Sequence, residues 1–287
     1  MIKKKPAYPF ETIAVAVAFS PRTEAILCET KRIAELFSSR LILIHAGTPS
    51  PGKKEELESL LVKHGLNKLH PEIIWKEGDP VETILKTCKE NVVDLLIAGA
   101  MEKESRLKYY IGSISREICR KAKCSVLMFT EPSVAGTHFR KIVVNGADHK
   151  KTPHTIGASA YIAEHEKPDE IFVVKELHMP ALSMAIAGDC TEAEREKIMS
   201  GITDEENRKL NTVISSVARP GVNIHVRSIF GKPGYAISHF AQRVNADLLV
   251  INSPDTHLGL LDRIFTHDME YILENIPCNL LIIHSRV

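Results

Sequence analysis

Short hydrophobic runs alternate along the chain with longer segments whose hydrophobic residues recur at helical spacing. Ser20 and Pro21 are typical of a helix start. Ile26, Ile33 and Phe37 then fall on one face of the predicted helix. Strands that are apolar almost throughout, separated by helices, indicate a parallel sheet that is covered on both faces. The strands predicted for the first 130 residues are 12–17, 40–45, 72–76, 94–98 and 125–129.

The second half of the chain repeats the first. Residues 92–97 (VVDLLI) recur as residues 245–250 (NADLLV), and 78–80 (GDP) recur as 231–233 (GKP), both 153 positions later. The opening strand recurs as residues 141–146, only 129 positions later. The difference between these offsets means that the second copy has gained about 24 residues after its second strand.

We therefore predict two doubly wound, Rossmann-like α/β domains in tandem, each with a five-stranded parallel sheet. The 287 residues suit two domains of about 150 residues. Domain 1 is predicted over residues 1–133 and domain 2 over residues 134–287, with a linker near 130–138. The strand order should reverse between the first and fourth strands of each domain, where ligands bind at the strand ends. Two separate sheets are expected, not one continuous sheet core.

The inserted segment of the second copy falls near residues 176–210. An apolar part, 179–187, precedes a charged part, 191–199, for which a helix is predicted. A lid, a dimer contact and a decorated surface loop are the interpretations left open, and the loop is the commonest outcome for such insertions.

Composition and charge exclude several classes of protein. Lys and Arg number 37 against 36 Asp and Glu, with 21 basic and 17 acidic residues before Ser133, so neither half has the basic excess of a nucleic-acid partner. No apolar run approaches the ~20 residues of a membrane helix, and residues 1–6 lack the apolar stretch of a signal peptide. Six scattered cysteines without a CxxC pair indicate free thiols. We predict a cytoplasmic protein without membrane or nucleic-acid partners.

The most informative motif follows the fourth predicted strand and opens a helix. It consists of Gly99-Ala100-Met101-Glu102, nine further residues, and Gly112-Ser113-Ile114-Ser115. Glycine permits positive φ and close backbone approach, and amides at a helix amino end favour anions, so the layout suits a phosphate. From the spacing alone, a plain turn at Gly99 and a plain helix start at Gly112 remain the simpler interpretation.

Several motifs together resemble the universal stress protein family. They are the pattern G-x2-G-x9-G-[S/T] after a V-D-L strand, the Gly-Asp-Pro before the third helix, and Cys124 before the last strand. The resemblance covers nearly the whole chain twice, as in tandem members of the family. It implies an internal pseudo-dimer of the two domains, and a homodimer of the chain is left open. It also implies, in the ATP-binding branch, a glycine loop around ribose and phosphates and an Asp that contacts adenine.

Position by position, the resemblance implies a nucleotide site in the first copy. The first copy departs from the family pattern at Glu102, in place of the second glycine, and at Ala18, in place of the adenine-contacting Asp. The Glu102 carboxylate would repel phosphates, and Lys103, Arg106 and Lys108 in the same loop would offset it. The candidate nucleotide-binding residues are Gly99, Met101, Gly112, Ser113, Ile114, Ser115 and His45.

His45 and the second copy leave alternatives open. At the end of the second strand, His45 either touches a base or ribose, or is half-buried and bonded to a backbone carbonyl. In the second copy, residues 252–255 (NSPD) replace the first glycines and Thr266-His267 replaces Gly-Ser, so nucleotide binding is predicted to be lost there. Residues 148–151 (DHKK) are polar enough for another ligand, although a solvated loop is the commoner explanation.

Two functions follow from these observations. The first is a cytoplasmic stress-response protein that binds ATP or another adenine nucleotide in domain 1 only, with no metal beyond a Mg ion carried by the nucleotide. The second is a protein-interaction module of the same fold that binds no nucleotide. The chain has no GxSxG, no Walker A sequence and no metal-ligand spacing, so an enzyme is not indicated beyond weak ATP hydrolysis.

Overall fold

Ten strands form one continuous sheet in the computed structural model, which describes residues 8–102, 109–110, 112–177, 191–217, 219, 221–253 and 269–285. The first copy contains β1 (Thr12–Ala16), α1 (Thr23–Phe37), β2 (Arg40–Ala46), α2 (Pro51–Lys63), a 3-10 helix (Leu66–Leu69), β3 (Glu72–Lys76), α3 (Pro80–Glu90), β4 (Leu95–Gly99), β5 (Met101–Glu102), β6 (Tyr109–Tyr110), α4 (Ser113–Lys121) and β7 (Ser125–Phe129). The second copy contains β8 (Lys141–Asn145), α5 (Thr152–Glu166), β9 (Glu170–Leu177), α6 (Glu192–Val217), β10 (His225–Phe230), α7 (Tyr235–Arg243), β11 (Leu248–Asn252), α8 (described over 269–274) and β12 (Asn279–Ile283).

Each copy has the strand order of a doubly wound parallel sheet. The order is β3-β2-β1-β4-β7 in the first copy and β10-β9-β8-β11-β12 in the second. The five strands predicted for the first copy are all present, to within one or two residues at their ends. The order reverses between β1 and β4, and between β8 and β11. The predicted α/β fold class is therefore confirmed. The short β5–β6 hairpin was not predicted.

The expectation of two separate sheets is wrong, because β7 and β12 pair edge to edge. The pairing is antiparallel, and residues 126–128 lie opposite 280–282 with Leu127 facing Leu281. These residues occupy the same repeat positions, so the pairing is symmetric about the Leu127–Leu281 pair. All residues of both strands are buried. An unpaired edge strand of this composition would expose backbone donors and acceptors beside a hydrophobic surface, and the pairing removes both edges at once.

Polar side chains form hydrogen bonds at both ends of the β7–β12 pairing, which we call the seam. The Asn279 side-chain oxygen accepts a hydrogen bond from the Thr130 backbone N–H at 3.0 Å, and its amide donates to the Asp247 carbonyl at 3.0 Å. At the opposite end, the Ser125 hydroxyl oxygen accepts from the His284 N–H at 3.2 Å. Ser125 and Asn279 begin equivalent strands, so the same position in both copies supplies a side-chain acceptor at one end of the seam.

The repeated Asp of the V-D-L motif has a structural role in both copies. The Asp94 carboxylate accepts a hydrogen bond from the Thr12 N–H at 3.0 Å, and the Asp247 carboxylate accepts one from the Lys141 N–H at 2.8 Å. Each Asp thus ties the start of the fourth strand to the start of the first strand. The motif that revealed the repeat therefore positions the two central strands of each half-sheet.

A buried carboxylate holds the segment between the copies. Residues 130–140, between β7 and β8, contain no helix or strand. Glu29 of α1 is fully buried, and its two oxygens accept from the Ser133 and Thr137 N–H groups, each at 3.1 Å. Arg32 pairs with Glu29 at 3.4 Å and also bonds Glu166 of α5. The segment is thus fixed to helices of both copies, while the predicted domain limits stay a prediction.

The inserted segment forms a longer helix than the sequence pattern indicated. Its helix was predicted over 191–199, and α6 runs from Glu192 to Val217, twice the length of α2 at the same place in the first copy. Leu210 is its buried anchor and lies against Gly146. The apolar part predicted at 179–187 lies outside the described residues. The described part of the insertion is therefore a helix, not a loop.

The first testable prediction concerns the seam. Replacing Asn279 with Ala leaves the buried Thr130 N–H without its acceptor, and we expect the free energy of unfolding to fall by about 1–3 kcal/mol. Urea unfolding followed by circular dichroism measures this. Asn67→Ala, at an exposed position of the 3-10 helix, is the matched control and should change stability by less than about 0.5 kcal/mol. Equal effects of the two substitutions would contradict the role given to Asn279.

The second prediction concerns the thiols, since the described cysteines are all free, as predicted. Burial raises the pKa of the Cys119 thiol to about 12. A hydrogen bond with Cys124, together with burial, raises the pKa of Cys88. Because an unfolded thiol ionises near pH 8.5, the folded chain retains more protons above that pH. Stability that is complete below pH 8.5 should fall from about pH 9 towards 12, by up to about 1.4 kcal/mol per pH unit for Cys119.

Urea unfolding at pH 7.5, 9 and 10.5 measures this slope. The Cys119→Ala variant lacks one of the ionising thiols, so its stability should decline less steeply with pH, whatever its absolute stability. An identical slope in wild type and variant would show that the Cys119 thiol does not stay protonated in the folded chain.

Candidate functional site

A cavity of about 490 Å³ opens at the carboxyl ends of β1 and β4, where the strand order of the first copy reverses. Its walls come from the end of β1, the loop before α1, the first turns of α1, the end of β4, and the start of α4. The lining segments are residues 15–18, 20–23, 26–27, 99–100 and 112–115. This is the position at which doubly wound sheets bind ligands.

Five of the seven candidate residues line this one cavity: Gly99, Gly112, Ser113, Ile114 and Ser115. The backbone of Met101 lies in β5, opposite Tyr110, and its side chain lies outside the described part of the structure. Lys103, Arg106 and Lys108, which were expected to offset Glu102, also lie outside it. The end of β4 and the start of α4 thus bring together, at one cavity, five of the residues that the glycine pattern singled out.

The structure explains the glycines at positions 99 and 112 differently from the sequence-based expectation of positive φ. Neither Gly99 nor Gly112 is among the residues with positive φ, and Gly112 has φ −58° and ψ 160°, which other residues adopt readily. At Gly99 the constraint is space, since a Cβ there would lie 3.2 Å from Cδ1 of Ile26. At Gly112 the residue is the N-cap of α4 and makes no side-chain cap. The amino end of α4 therefore presents backbone amides to the cavity.

Arg22 is a cavity residue that the sequence analysis missed. Helix α1 begins at Thr23, later than Ser20 and Pro21 suggested, so Arg22 is its N-cap. The Arg22 guanidinium donates through Nη1 to the Ala100 carbonyl at 3.0 Å and to the Thr130 carbonyl at 2.9 Å. It adds a positive charge to the side of the cavity that α4 also makes positive. A comparison of the two copies at offset 129 would have found it, because Lys151 stands at the equivalent position.

The β1 side of the cavity has a different character. Ala16, Val17 and Ala18 supply no polar side-chain group there. Ala18 lines the cavity as expected for the residue in place of the family's Asp. The cavity therefore combines a positive side at α4 with an apolar side at β1.

His45 is not among the residues that line the cavity. It is buried, its Nδ1 lies 2.9 Å from the Val17 carbonyl oxygen, and its ring packs edge-on against Phe19 and Trp75 with centroids 4.9 Å apart in each case. Because a carbonyl only accepts, Nδ1 is the protonated nitrogen. Of the two interpretations left open, the histidine bonded to a backbone carbonyl is the one observed.

The equivalent cavity of the second copy is less than half as large, about 220 Å³. Larger polar side chains stand where the first copy has small residues: Asn252 replaces Gly99, and Glu176 replaces Ala46 at the structurally equivalent positions. Asn252 hydrogen-bonds Thr155 and, at 3.2 Å, the Thr152 hydroxyl. These side chains therefore fill the space, and their polar groups are bonded to other groups of the protein.

Ion pairs and a helix cap complete the second cavity. Lys175 pairs with Glu206 of α6, and hydrogen bonds from Lys175 and Lys209 lower the pKa of the Glu206 carboxyl. In the first copy Asp79 caps α3 by accepting from the Glu82 N–H at 2.9 Å. In the second copy Lys232 replaces that Asp, and Glu176 caps α7 instead.

Glu176 supplies this cap from the end of β9. Its oxygens accept from the Gly234 N–H at 3.0 Å and the Ile237 N–H at 2.8 Å. The β8–β9 pairing has the register of the β1–β2 pairing, which makes Ala46 the equivalent position in the first copy. A carboxylate that serves as a helix cap fills part of the volume that the first copy leaves open.

Two features are absent from the described residues. They contain no cluster of His, Cys, Asp or Glu side chains arranged to hold a metal ion. Within the same residues, every helix is either too short or too polar to cross a bilayer.

The fold and the site define a doubly wound α/β protein with a ligand-sized cavity at its switch point. Residues 9–130 match the model of the universal stress protein family. The family predicted from the sequence is therefore confirmed for residues 9–130.

Solved structures show the same fold over the whole chain. A functionally unknown protein, PA1789, from Pseudomonas aeruginosa PAO1 is 17% identical with a TM-score of 0.68, over 96% of this chain and 92% of that chain. A universal stress protein from Archaeoglobus fulgidus DSM 4304 is 14% identical with a TM-score of 0.65, over 96% and 98%. The tandem arrangement of the fold is thereby confirmed.

A universal stress protein solved in complex with cAMP is 17% identical over 52% of this chain and 99% of that chain, with a TM-score of 0.36. The cAMP belongs to that protein. No curated protein matches the chain.

The third prediction tests the replacement cap at the second cavity. Replacing Glu176 with Ala removes the acceptor of two amides at the start of α7, and we expect the free energy of unfolding to fall by about 1 kcal/mol. Asp79→Ala, at the equivalent cap of α3, should have an effect of the same size. Glu192→Ala, at the exposed start of α6, is the control. Chemical denaturation of the three variants measures these changes in the free energy of unfolding. A loss in Glu176→Ala no larger than in Glu192→Ala would contradict the capping role of Glu176.

Proposed function

We propose that the cavity of the first copy binds ATP or a related adenine nucleotide, and that the second copy supports it without binding nucleotide. The observation that carries the proposal is the meeting of the amino end of α4 and Arg22 at the switch point between β1 and β4. Uncapped helix amides and a guanidinium both favour an anionic group such as a phosphate. A volume of about 490 Å³ suits a ligand of nucleotide size.

The proposed stoichiometry is one nucleotide per chain. In the second copy, Asn252 and Lys175 occupy the equivalent volume and bond to protein groups, so a ligand would have to displace contacts that are already satisfied. The second half also carries 16 basic and 19 acidic residues, against 21 and 17 before Ser133, which disfavours an anion there.

Weak binding is part of the proposal. Ala18 offers no hydrogen bond to an adenine, where the family resemblance implies an Asp. The missing hydrogen bond should weaken binding by about 1–3 kcal/mol, or about one to two decades in the dissociation constant. A metal ion would enter this site only as Mg bound to the nucleotide.

The apolar β1 side of the cavity favours a second candidate function. With Ala16, Val17 and Ala18 on that side, a base finds no polar side chain to recognise it. The protein would then act in the cytoplasm through protein contacts made by the tandem fold. The two candidates differ in whether wild-type protein binds nucleotide at all.

The fourth prediction tests the proposed site by isothermal titration of the full chain with ATP, with and without Mg. We expect at most one site per chain, with affinity far weaker than nanomolar. Gly112→Val should abolish the binding, because a β-branched side chain at the N-cap of α4 occupies the space where the ligand must approach the helix amides. Gly201→Val, in α6 where a Cβ meets no neighbouring atom within 4 Å, is the matched control and should bind as wild type does.

Each outcome of the titration tests a separate part of the proposal. Two sites per chain would contradict the asymmetry between the copies, and nanomolar affinity would contradict the role assigned to Ala18. Unchanged affinity in Gly112→Val, with wild type binding, would place the site elsewhere. No binding by well-folded wild type would favour the protein-interaction module.

A further inference from the structure

A basic side chain links three separate segments at the rim of the first cavity. Arg22 lies before α1, and its two carbonyl partners, Ala100 and Thr130, directly follow β4 and β7. Thr130 is buried, and the Ala100 N–H itself bonds the Phe129 carbonyl at 2.8 Å. Charge-assisted hydrogen bonds to two carbonyls, made by one planar group, fix the relative positions of all three segments.

The second copy makes the same contact with a different residue. Lys151 lies 129 positions after Arg22, and Ser253 lies 153 positions after Ala100, the same offsets that relate the two copies elsewhere. Lys151 is 8% exposed, and its ammonium donates to the Ser253 carbonyl at 3.0 Å and to the Ser253 hydroxyl at 3.2 Å. The polar loop at 148–151 therefore contributes a buried structural cation, not only a solvated surface. Two sequences that differ at this position have kept one cation-to-carbonyl contact.

The contact has different consequences in the two copies. In the second copy, side chains such as Asn252 fill the cavity beside the cation. In the first copy, the space beside it is open, and the chain that leaves Ala100 returns at Gly112 to form the amino end of α4. The position of Ala100 therefore sets where this loop departs relative to the amides of α4.

We propose that Arg22 is a positioning residue for the ligand cavity of the first copy. It anchors the carbonyl of Ala100 and so fixes the end of β4 relative to the amides of α4, in the geometry that a nucleotide requires. Because Lys151 makes the equivalent contact, the function requires a long cationic side chain and not a guanidinium in particular. This inference rests on the proposed function for its effect on binding, but the anchoring itself is measurable without any ligand.

The fifth prediction compares three variants of the full chain: Arg22→Met, Arg22→Lys and Lys151→Met. Methionine keeps the length and apolar stem without the charge. Amide hydrogen exchange without ligand measures the anchoring at two backbone amides. The Ala100 N–H donates to the Phe129 carbonyl, and the Arg116 N–H donates to the Gly112 carbonyl at 2.9 Å. Titration with ATP reports binding.

We expect Arg22→Met to accelerate exchange at these two amides by about tenfold and to weaken ATP binding by about tenfold, since charged hydrogen bonds are lost. Arg22→Lys should stay within about threefold of wild type in both measurements, because an ammonium has three donors for the two carbonyls. Lys151→Met should accelerate exchange at the Ser253 amide, held by Ile283, and leave ATP binding unchanged.

The outcomes separate this inference from the proposed function. Wild-type exchange at Ala100 and Arg116 in Arg22→Met would overturn the anchoring role, and faster exchange with undiminished ATP affinity would overturn the positioning role. Loss of affinity in folded Arg22→Lys would also overturn it, which keeps the inference falsifiable if Arg22→Met does not fold. If wild type binds no ATP, the proposed function fails, and the exchange measurements alone decide whether Arg22 anchors Ala100.

Discussion

The antiparallel pairing of β7 with β12 is the constraint on which the rest of the structure depends. Each half-sheet ends in a strand whose residues are all buried, so neither strand can remain a free edge in water. Pairing about Leu127 and Leu281 satisfies both edges, continues the hydrophobic layers across the copies, and directs the strands of the two halves in opposite senses. The two switch-point cavities consequently open at opposite ends of one sheet.

The two copies differ in what fills the space at the switch point of the sheet. Where the first copy has the small residues Gly99 and Ala46, the second has Asn252 and Glu176. Each of the larger side chains bonds a neighbouring group, and Glu176 also replaces a lost helix cap. The filled cavity is therefore a stabilised part of the second copy, which is consistent with a supporting role beside an open first cavity.

Hydrophobic periodicity and the internal repeat predict most of the fold. Parallel strands buried on both faces have a pattern that is visible locally, and the two offsets located the insertion without an alignment. The sheet junction was missed because an apolar edge strand has the same sequence whether it pairs with a partner or is covered by a helix. The start of α1 was also displaced, because Ser20 and Pro21 precede the helix and Arg22 is its N-cap.

The sequence by itself determined the fold class, the two copies, and the glycine segment that borders the cavity, because these depend on residue types at fixed local spacing. Tertiary structure alone decided which polar residues meet. It placed His45 among aromatic rings and brought Arg22 to carbonyls 78 and 108 residues away. It also filled the second cavity with side chains from separate strands. Such contacts join segments that are distant along the chain, and their geometry is set by how the strands pack, which no local pattern encodes.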